Sequence, residues 1–290
     1  MATIGNFDGV HLGHRVLIGQ LIERAKHYGV PSVVVTFDPH PIEVLNPGVI
    51  LPKLNTLERK AELLGECGVD YLLALETDPA LLNLEYTDFF SRYVTGRLNA
   101  RALVEGPNFF FGKDRQGDTA ALRDLCRRHG IELKIVEIRH FESDAVSSSL
   151  VRKWVMAGNV GEANRVLGTH YTLTGVVEPG AGRGRSIGFP TANLQRIATL
   201  VPGDGVYGGV AKLGERRALC AVNIGSNLTF SESEKKIEVH LIDRDLDLYG
   251  AEITVEFHRR LRGLIKFESV EKLVAQIEKD IAEVQENVTM

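Results

Sequence analysis

At 290 residues and a formal net charge of −4, the chain has the length of two domains and too little positive charge to suggest non-specific nucleic-acid binding. Its 44% hydrophobic and 25% charged residues are ordinary for a soluble protein and allow a sizeable core. No targeting segment or apolar run long enough to span a bilayer is legible, and the isolated Cys67, Cys126 and Cys220 suit reduced packing thiols in a cytoplasm, not disulfides or a metal cluster.

The first strand, Met1 to Ile4, is short against a typical five or six residues. It runs into Gly5-Asn6-Phe7-Asp8-Gly9-Val10-His11-Leu12-Gly13-His14, a turn between a buried strand and an amphipathic helix. Val16, Leu17, Leu21, Ile22 and Ala25 recur at helical spacing, and Gly29 is the expected stop. Gly5, Gly9 and Gly13 let the backbone approach a ligand closely. The N–H groups at the helix start and the helix dipole favour an anion there. His11 and His14 bracket Gly13, so both imidazoles can face one pocket. That is a phosphate site with two mobile proton donors; the bland alternative is a pair of surface histidines in a turn.

Ser32 to Phe37 is an apolar, β-branched run suited to a strand buried on both faces of a parallel sheet. Asp38-Pro39-His40-Pro41 follows as a rigid loop, where two prolines disfavour helix and ladder alike. Ligands of open α/β sheets bind beyond such strand ends. Asn55 with Glu58 predicts a capping box for a helix through Leu63 and Leu64 that stops at Gly68. Tyr71 to Leu75 is the next strand, Asp88 to Leu98 a helix whose Phe89, Phe90 and Tyr93 are core residues, and Ala102 to Glu105 a further strand. Phe109, Phe110 and Phe111 then stand together in a loop. Solvated, they would make an apolar patch for a flat aromatic ligand, with Lys113 and Arg115 near phosphates. A helix Ala120 to Arg128 and a strand Glu132 to Ile138 complete the β/α alternation. Ser147, Ser148 and Ser149 open another helix, as ordinary caps or, with Arg152, as an anion cradle.

Around Leu167-Gly168 the alternation stops. Tyr171 to Val177, Val206 to Lys212, Leu219 to Ile224, Ile237 to Ile242 and Ile253 to Phe257 read as the strands of a small antiparallel barrel. Ser269 to Glu286 is a terminal amphipathic helix with Val270, Leu273, Ile277 and Ile281 on one stripe. Between the first two strands lies Gly180-Ala181-Gly182-Arg183-Gly184-Arg185-Ser186-Ile187-Gly188-Phe189-Pro190-Thr191-Ala192-Asn193. A basic glycine loop of this kind can fold over polyphosphate through backbone N–H groups. Thr191 and Asn193 point to one strand face, where two hard oxygens suit Mg²⁺. Glu238, mid-strand among apolar neighbours, either faces outward or is functional.

These motifs resemble, in order, two halves of one family. The glycine–histidine turn resembles the nucleotidyltransferase signature, specifically the adenylyltransferase half of bacterial bifunctional riboflavin kinase/FAD synthetases. Thr36-Phe37-Asp38-Pro39-His40-Pro41 matches the family's substrate-closing loop, and Ser148, Ser149 and Arg152 fit its ATP-phosphate motif. The glycine loop with Pro190-Thr191-Ala192-Asn193, then Gly205-Val206-Tyr207, Asn223-Ile224-Gly225, Ile237-Glu238-Val239-His240 and Asp247-Leu248-Tyr249-Gly250, resembles riboflavin kinase. The resemblance implies a Rossmann-like nucleotidyltransferase domain with a parallel sheet over 1–167 and an antiparallel β-barrel kinase domain with a terminal helix over 168–290. It also implies a leader ahead of the first strand in relatives.

The implied chemistry is phosphorylation of riboflavin to FMN by ATP, then adenylyl transfer from ATP to FMN giving FAD and pyrophosphate, with Mg²⁺ as the metal. Partners are then these small molecules, not nucleic acid or a membrane; self-association is left open. His11, His14 and Glu238 are the implied catalytic residues, Glu238 as base. Gly5, Phe7, Asp8, Gly9, Gly13, Ser148, Ser149, Arg152, Gly182, Arg183, Gly184, Arg185 and Gly188 are assigned to ATP, Asn108 and Arg262 to the flavin, and Thr191 and Asn193 to the metal. The chain departs from the family pattern at Asn108, Phe110, Leu150, Leu228 and Leu264. Two rival readings are a flavin carrier with a dead transferase half and a single-activity adenylyltransferase with an unrelated barrel.

Overall fold

The computed structural model describes residues 1–49, 51–137, 140–141, 144–180, 182–226, 235–244, 246 and 248–290. The family departure at Leu228, with Thr229 and Phe230, therefore lies outside the described residues, as do Ile138, Ala181 and Asp247. The chain divides into two compact units, Met1–Ser148 and Ser149–Met290.

The first unit is built on five parallel strands, β1 (Ala2–Ile4), β2 (Val33–Asp38), β3 (Tyr71–Glu76), β4 (Ala102–Glu105) and β5 (Glu132–Ile135), in the order β3-β2-β1-β4-β5. The β-branched run of β2 is buried on both faces as expected: Val34 packs in one core cluster and Val35 in the other. The alternation repeats in β4, where Leu103 and Val104 enter opposite clusters. Helix α1 (Leu12–Tyr28) docks on the second cluster through Ile18 and Leu21, and Gly29 closes it in the left-handed region at φ 61°. Burying two such side chains stabilises by about 1.5–3 kcal/mol each. Because β1 lies between β2 and β4, the connections leave it in opposite directions. A crevice therefore opens at the carboxyl ends of β1 and β4. The glycine turn and the Gly106–Gly117 loop both start at that edge.

Several local expectations are corrected. Pro39 stands in a loop, but Pro41 begins α2 (Pro41–Leu45), with His40 as the cap. A proline at the first helical position costs nothing, because its missing N–H would have no partner there. The cap of α3 (Leu57–Glu66) is Thr56, whose Oγ1 accepts from the Arg59 N–H at 3.2 Å. Asn55 is not available as a cap because its Oδ1 accepts from the Gly9 N–H at 2.6 Å. After α4 (Pro79–Leu82), the expected helix over 88–98 is a short α5 (Tyr86–Phe89) running into a π-helix, Phe90–Arg97. Phe89 and Phe90 are both buried, so the aromatics are core as read. Helix α6 (Thr119–Arg128) starts on an Asp118 cap, and β5 is shorter than predicted. A two-residue ribbon, β6 (His140–Phe141) and β7 (Asp144–Ala145), follows.

The second compact unit takes in α7 (Ser148–Met156) from Ser149 onward and α8 (Val160–Leu167), ahead of the change of pattern at Leu167-Gly168. Asn164 explains the grouping: its side chain donates to the Phe257 carbonyl at 2.8 Å and accepts from the Tyr171 N–H at 2.7 Å. The barrel strands are β8 (Tyr171–Glu178), β9 (Ala192–Gln195), β10 (Gly205–Leu213), β11 (Arg216–Gly225), β12 (Lys236–Leu241) and β13 (Glu252–Arg262), closed in the order β10-β11-β12-β9-β8-β13. A one-turn helix, α9 (Arg183–Ser186), stands inside the glycine loop before β9. Closure leaves no strand edge. Helix α10 (Val270–Asn287) starts on a Ser269 cap. Its anchors are Val284 and the following Val288, both buried, whereas Val270 is exposed. Among the described residues, no helix is long and apolar enough to cross a membrane.

Candidate active sites

In the first unit, the turn after β1 is tightly determined. Gly9 has φ 84°, and the non-glycine Phe7 and Val10 also hold positive φ values of 46° and 42°. Such backbone is costly and persists only where packing enforces it. Here Phe7 and Val10 are buried. Asp8 is buried too, and its carboxylate accepts from the Leu54 N–H at 3.0 and 3.1 Å and from the Asn55 N–H at 3.3 Å. The side chain assigned to ATP thus ties the turn to the segment before α3. Ser148 Oγ donates to the Asp8 carbonyl at 2.8 Å, which brings that serine to the turn. Ser149 and Arg152 belong to the second compact unit.

His11 caps α1, its Nδ1 accepting from the His14 N–H at 3.3 Å. The two imidazoles stack with centroids 3.6 Å apart and planes 14° from parallel. They therefore share one site, as the spacing implied. A Cβ at Gly13 would stand 3.2 Å from the His11 ring and 3.4 Å from Val146, so the glycine permits the stack. His14 Nδ1 is buried without a hydrogen-bond partner. Burial, then the charges of His11 and Lys60, hold its pKa well below the ordinary imidazole value.

Lys60 escaped the sequence reading. Its ammonium lies under the turn, donating to the Asn6 carbonyl at 2.7 Å and to Thr36 Oγ1 at 3.1 Å. Burial lowers its pKa, opposed by Asp8 and Asp38. Its position three and four residues before the buried Leu63 and Leu64 was the available signal.

Across the crevice edge, the phenylalanine loop does not present three rings. Phe111 is buried and stacked at 5.3 Å on the half-buried Phe109, while Phe110 is 44% exposed under the Arg115 guanidinium at 4.4 Å. Asn108 is exposed in the same loop.

In the second unit, burial alternates along β12: Ile237, Val239 and Leu241 are buried, whereas Glu238 and His240 are half-buried. Glu238 thus faces outward, and it lines a cavity. Cross-strand register sets it opposite Asn223 on β11 and Asn193 on β9, and Asn223 Nδ2 donates to Glu238 Oε2 at 3.3 Å. Thr191, Arg262 and Asp280 border the same cavity, with an apolar wall of Leu264, Phe267, Leu273 and Ile277. A second cleft holds Arg185, Arg244 and Tyr249, and Thr191 borders both. Arg262 makes a two-pronged ion pair with Asp280 of α10, at 2.8 to 3.1 Å. Asp280, also bonded by Gln276 at 2.9 Å, was missed, although it shares the helix face of Ile277 and Val284.

The glycine loop packs directly on the predicted metal ligands. A Cβ on Gly184 would run into the Phe189 carbonyl and stand 3.2 Å from Thr191 Oγ1, and one on Gly180 would collide with the Asn193 amide. Two neutral oxygen donors beneath a basic loop fit Mg²⁺ shared with phosphates. Gly182 and Gly188 take positive φ values of 68° and 90° on either side of α9. The Arg183 side chain lies outside the described residues.

The family model of FAD synthetase matches residues 1–150 and that of riboflavin kinase residues 167–288. Bifunctional riboflavin kinase/FMN adenylyltransferase from Escherichia coli K12 is 35% identical over 279 residues, covering 96% of this chain and 89% of that protein. The protein of the same description from Bacillus subtilis is 36% identical with the same two coverages. A crystal structure described as a macrolide-efflux protein from Streptococcus pneumoniae is 31% identical, covers 99% of this chain and 94% of its own, and superposes with a TM-score of 0.90. Two adjoining family matches and relatives similar over nearly the full length establish that the chain belongs to the bifunctional riboflavin kinase/FMN adenylyltransferase family.

Proposed function

We propose that the chain carries out both reactions of its family at two separate sites: riboflavin to FMN in the barrel unit, and FMN to FAD at the glycine turn. The observation that carries the reading is Thr191, which borders both the cavity of Glu238 and the cleft of Arg185 and Arg244. A flavin in the first and a nucleotide in the second would meet there.

In the kinase step, the apolar wall takes the isoalloxazine ring and places the ribityl chain at Glu238. Glu238, oriented by Asn223, accepts the proton of the 5′-hydroxyl as its oxygen attacks the γ-phosphorus of ATP. The bond to the β-phosphate oxygen breaks and ADP leaves. The backbone of Gly182, Gly184 and Gly188, with Arg185, covers the phosphates. Thr191 and Asn193 would hold Mg²⁺, which supplies positive charge to the phosphate oxygens when bound. Arg262, held by Asp280, sits at the flavin edge.

In the adenylyl step, an FMN phosphate oxygen attacks the α-phosphorus of ATP and pyrophosphate leaves. The N–H groups that open α1 face the developing charge. His14, neutral in the free protein, gains proton affinity when an anion arrives and becomes a donor beside His11. Asn108 meets the flavin edge, and Ser148 the phosphates. The partners are small molecules, and free thiols at Cys67, Cys126 and Cys220 suit a cytoplasmic setting.

The test is incubation with riboflavin, ATP and Mg²⁺, with riboflavin, FMN and FAD separated over time. The wild type should yield FMN and then FAD. His14→Ala should stop at FMN, and Glu238→Gln should leave riboflavin unchanged yet convert supplied FMN. A single substitution that abolishes both reactions in a folded protein sinks the two-site reading.

A further inference from the structure

None of the residues assigned above explains a cluster on another part of the barrel. Glu256 and His258 are two positions apart on β13 and share a face. The β13–β8 register pairs Phe257 with Tyr171 and Glu256 with Thr172, so His258 falls opposite His170, just ahead of β8. The two imidazoles stack at 3.7 Å with planes 17° from parallel. The ligand-capable atoms of His170, Glu256 and His258 all lie within 4.8 Å of one another. His258 Nε2 is buried and has no hydrogen-bond partner, a condition that costs free energy unless something else satisfies it.

We propose that His170, Glu256 and His258 form a binding site for a divalent transition-metal ion of the zinc class, distinct from both reaction sites. Two imidazoles and one carboxylate select zinc, cobalt or nickel over magnesium, which prefers an all-oxygen shell. Ligand atoms around tetrahedral zinc stand roughly 3.4 Å apart, from bond lengths of about 2.0–2.2 Å. The ligand-capable atoms, within 4.8 Å of one another, must draw closer and the stacked rings turn for an ion to bind. The backbone is already held: Asn164 bonds the carbonyls of Phe257 and His258 at 2.8 and 3.4 Å and the N–H of Tyr171 at 2.7 Å. Glu256 is oriented by Lys212 at 2.6 Å and Arg217 at 2.9 Å. A carboxylate has lone pairs enough to keep these donors and still bind an ion, and ligating carboxylates are commonly held this way. The two cations oppose the metal's charge and weaken the site, so micromolar rather than tighter affinity is expected. A bound ion would clamp β8 to β13.

Titration of the full chain with Co²⁺ in excess Mg²⁺, followed by visible absorption, tests this. The expected result is a saturable band, displaced by Zn²⁺, and a rise in unfolding temperature with Zn²⁺. His170→Ala, at an exposed position, should abolish both while FMN formation persists, and His258→Gln should do the same. His27→Ala, exposed on α1, should leave both intact. No metal-dependent band in the wild type overturns the proposal. So does a band that survives His170→Ala, or one lost on His14→Ala.

Discussion

His14 shows how one side chain couples fold to chemistry. Folded, it is buried and titrates well below the 6.5 of a free imidazole. Just below pH 6.5 the unfolded chain therefore binds more protons than the folded one, and stability rises with pH across that window. It is complete above pH 6.5 and is lost progressively as the pH falls toward the depressed folded value. Urea midpoints measured against pH should fall below 6.5, and less steeply in His14→Asn. For catalysis, His14→Ala should slow FAD formation by about 10²–10³, the usual loss for one charge-stabilising donor. Glu238→Gln should slow FMN formation by about 10²–10⁴, because an amide cannot accept the hydroxyl proton. Initial rates of each product, measured separately, check both.

At the scale of elements, two contacts replace regular secondary structure. Strand β1 pairs with β4 at Ala2 and Leu103, and beyond them the Ile4 N–H donates to Glu105 Oε1 at 2.8 Å. Burial raises the Glu105 pKa well above the usual carboxylate range, despite that bond. Glu105→Gln keeps an acceptor without the ionisation and should be tolerated. Glu105→Leu strands the Ile4 N–H and should cost about 1–3 kcal/mol in denaturant unfolding. In the second unit, α10 closes the cavity through Asp280, whose carboxylate and the Arg262 guanidinium are 6% and 17% exposed. Asp280→Ala leaves Arg262 unpaired and should cost on the order of 3 kcal/mol. If Arg262 meets the flavin rather than the transferred phosphoryl, the KM for riboflavin should rise more than kcat falls. An unchanged KM in a folded Asp280→Asn variant would argue against that placement.

At the scale of the whole molecule, the boundary decides which pieces fold. Helix α8 buries Val160, Ala163, Val166 and Leu167, and its Asn164 bonds both β13 and the start of β8. A fragment of residues 149–290 should therefore unfold cooperatively and make FMN but no FAD. A fragment of 168–290 lacks these contacts and should unfold at lower denaturant concentration. A 149–290 fragment that folds but makes no FMN until residues 1–148 are added would show that the kinase site needs both halves.

The order of elements was legible in the chain because it rests on local chemistry. Periodicity switches from helical to alternating near Gly168, glycine turns interrupt the strands, and Thr191 and Asn193 sit on one face by simple alternation. His11 and His14 were legible for the same reason, being three residues apart at a helix start. The partners that arrive from elsewhere in the chain were not. Asn55 reads as a cap until Gly9 claims its amide, and nothing local in the sequence pairs Lys60 with Asn6 or Asp280 with Arg262. The phenylalanine triplet reads as one patch, yet packing draws Phe111 inward and leaves Phe110 outside. Sequence patterns record which face of an element is apolar. Which polar group meets which buried charge depends on contacts between distant segments, and only the folded chain sets those.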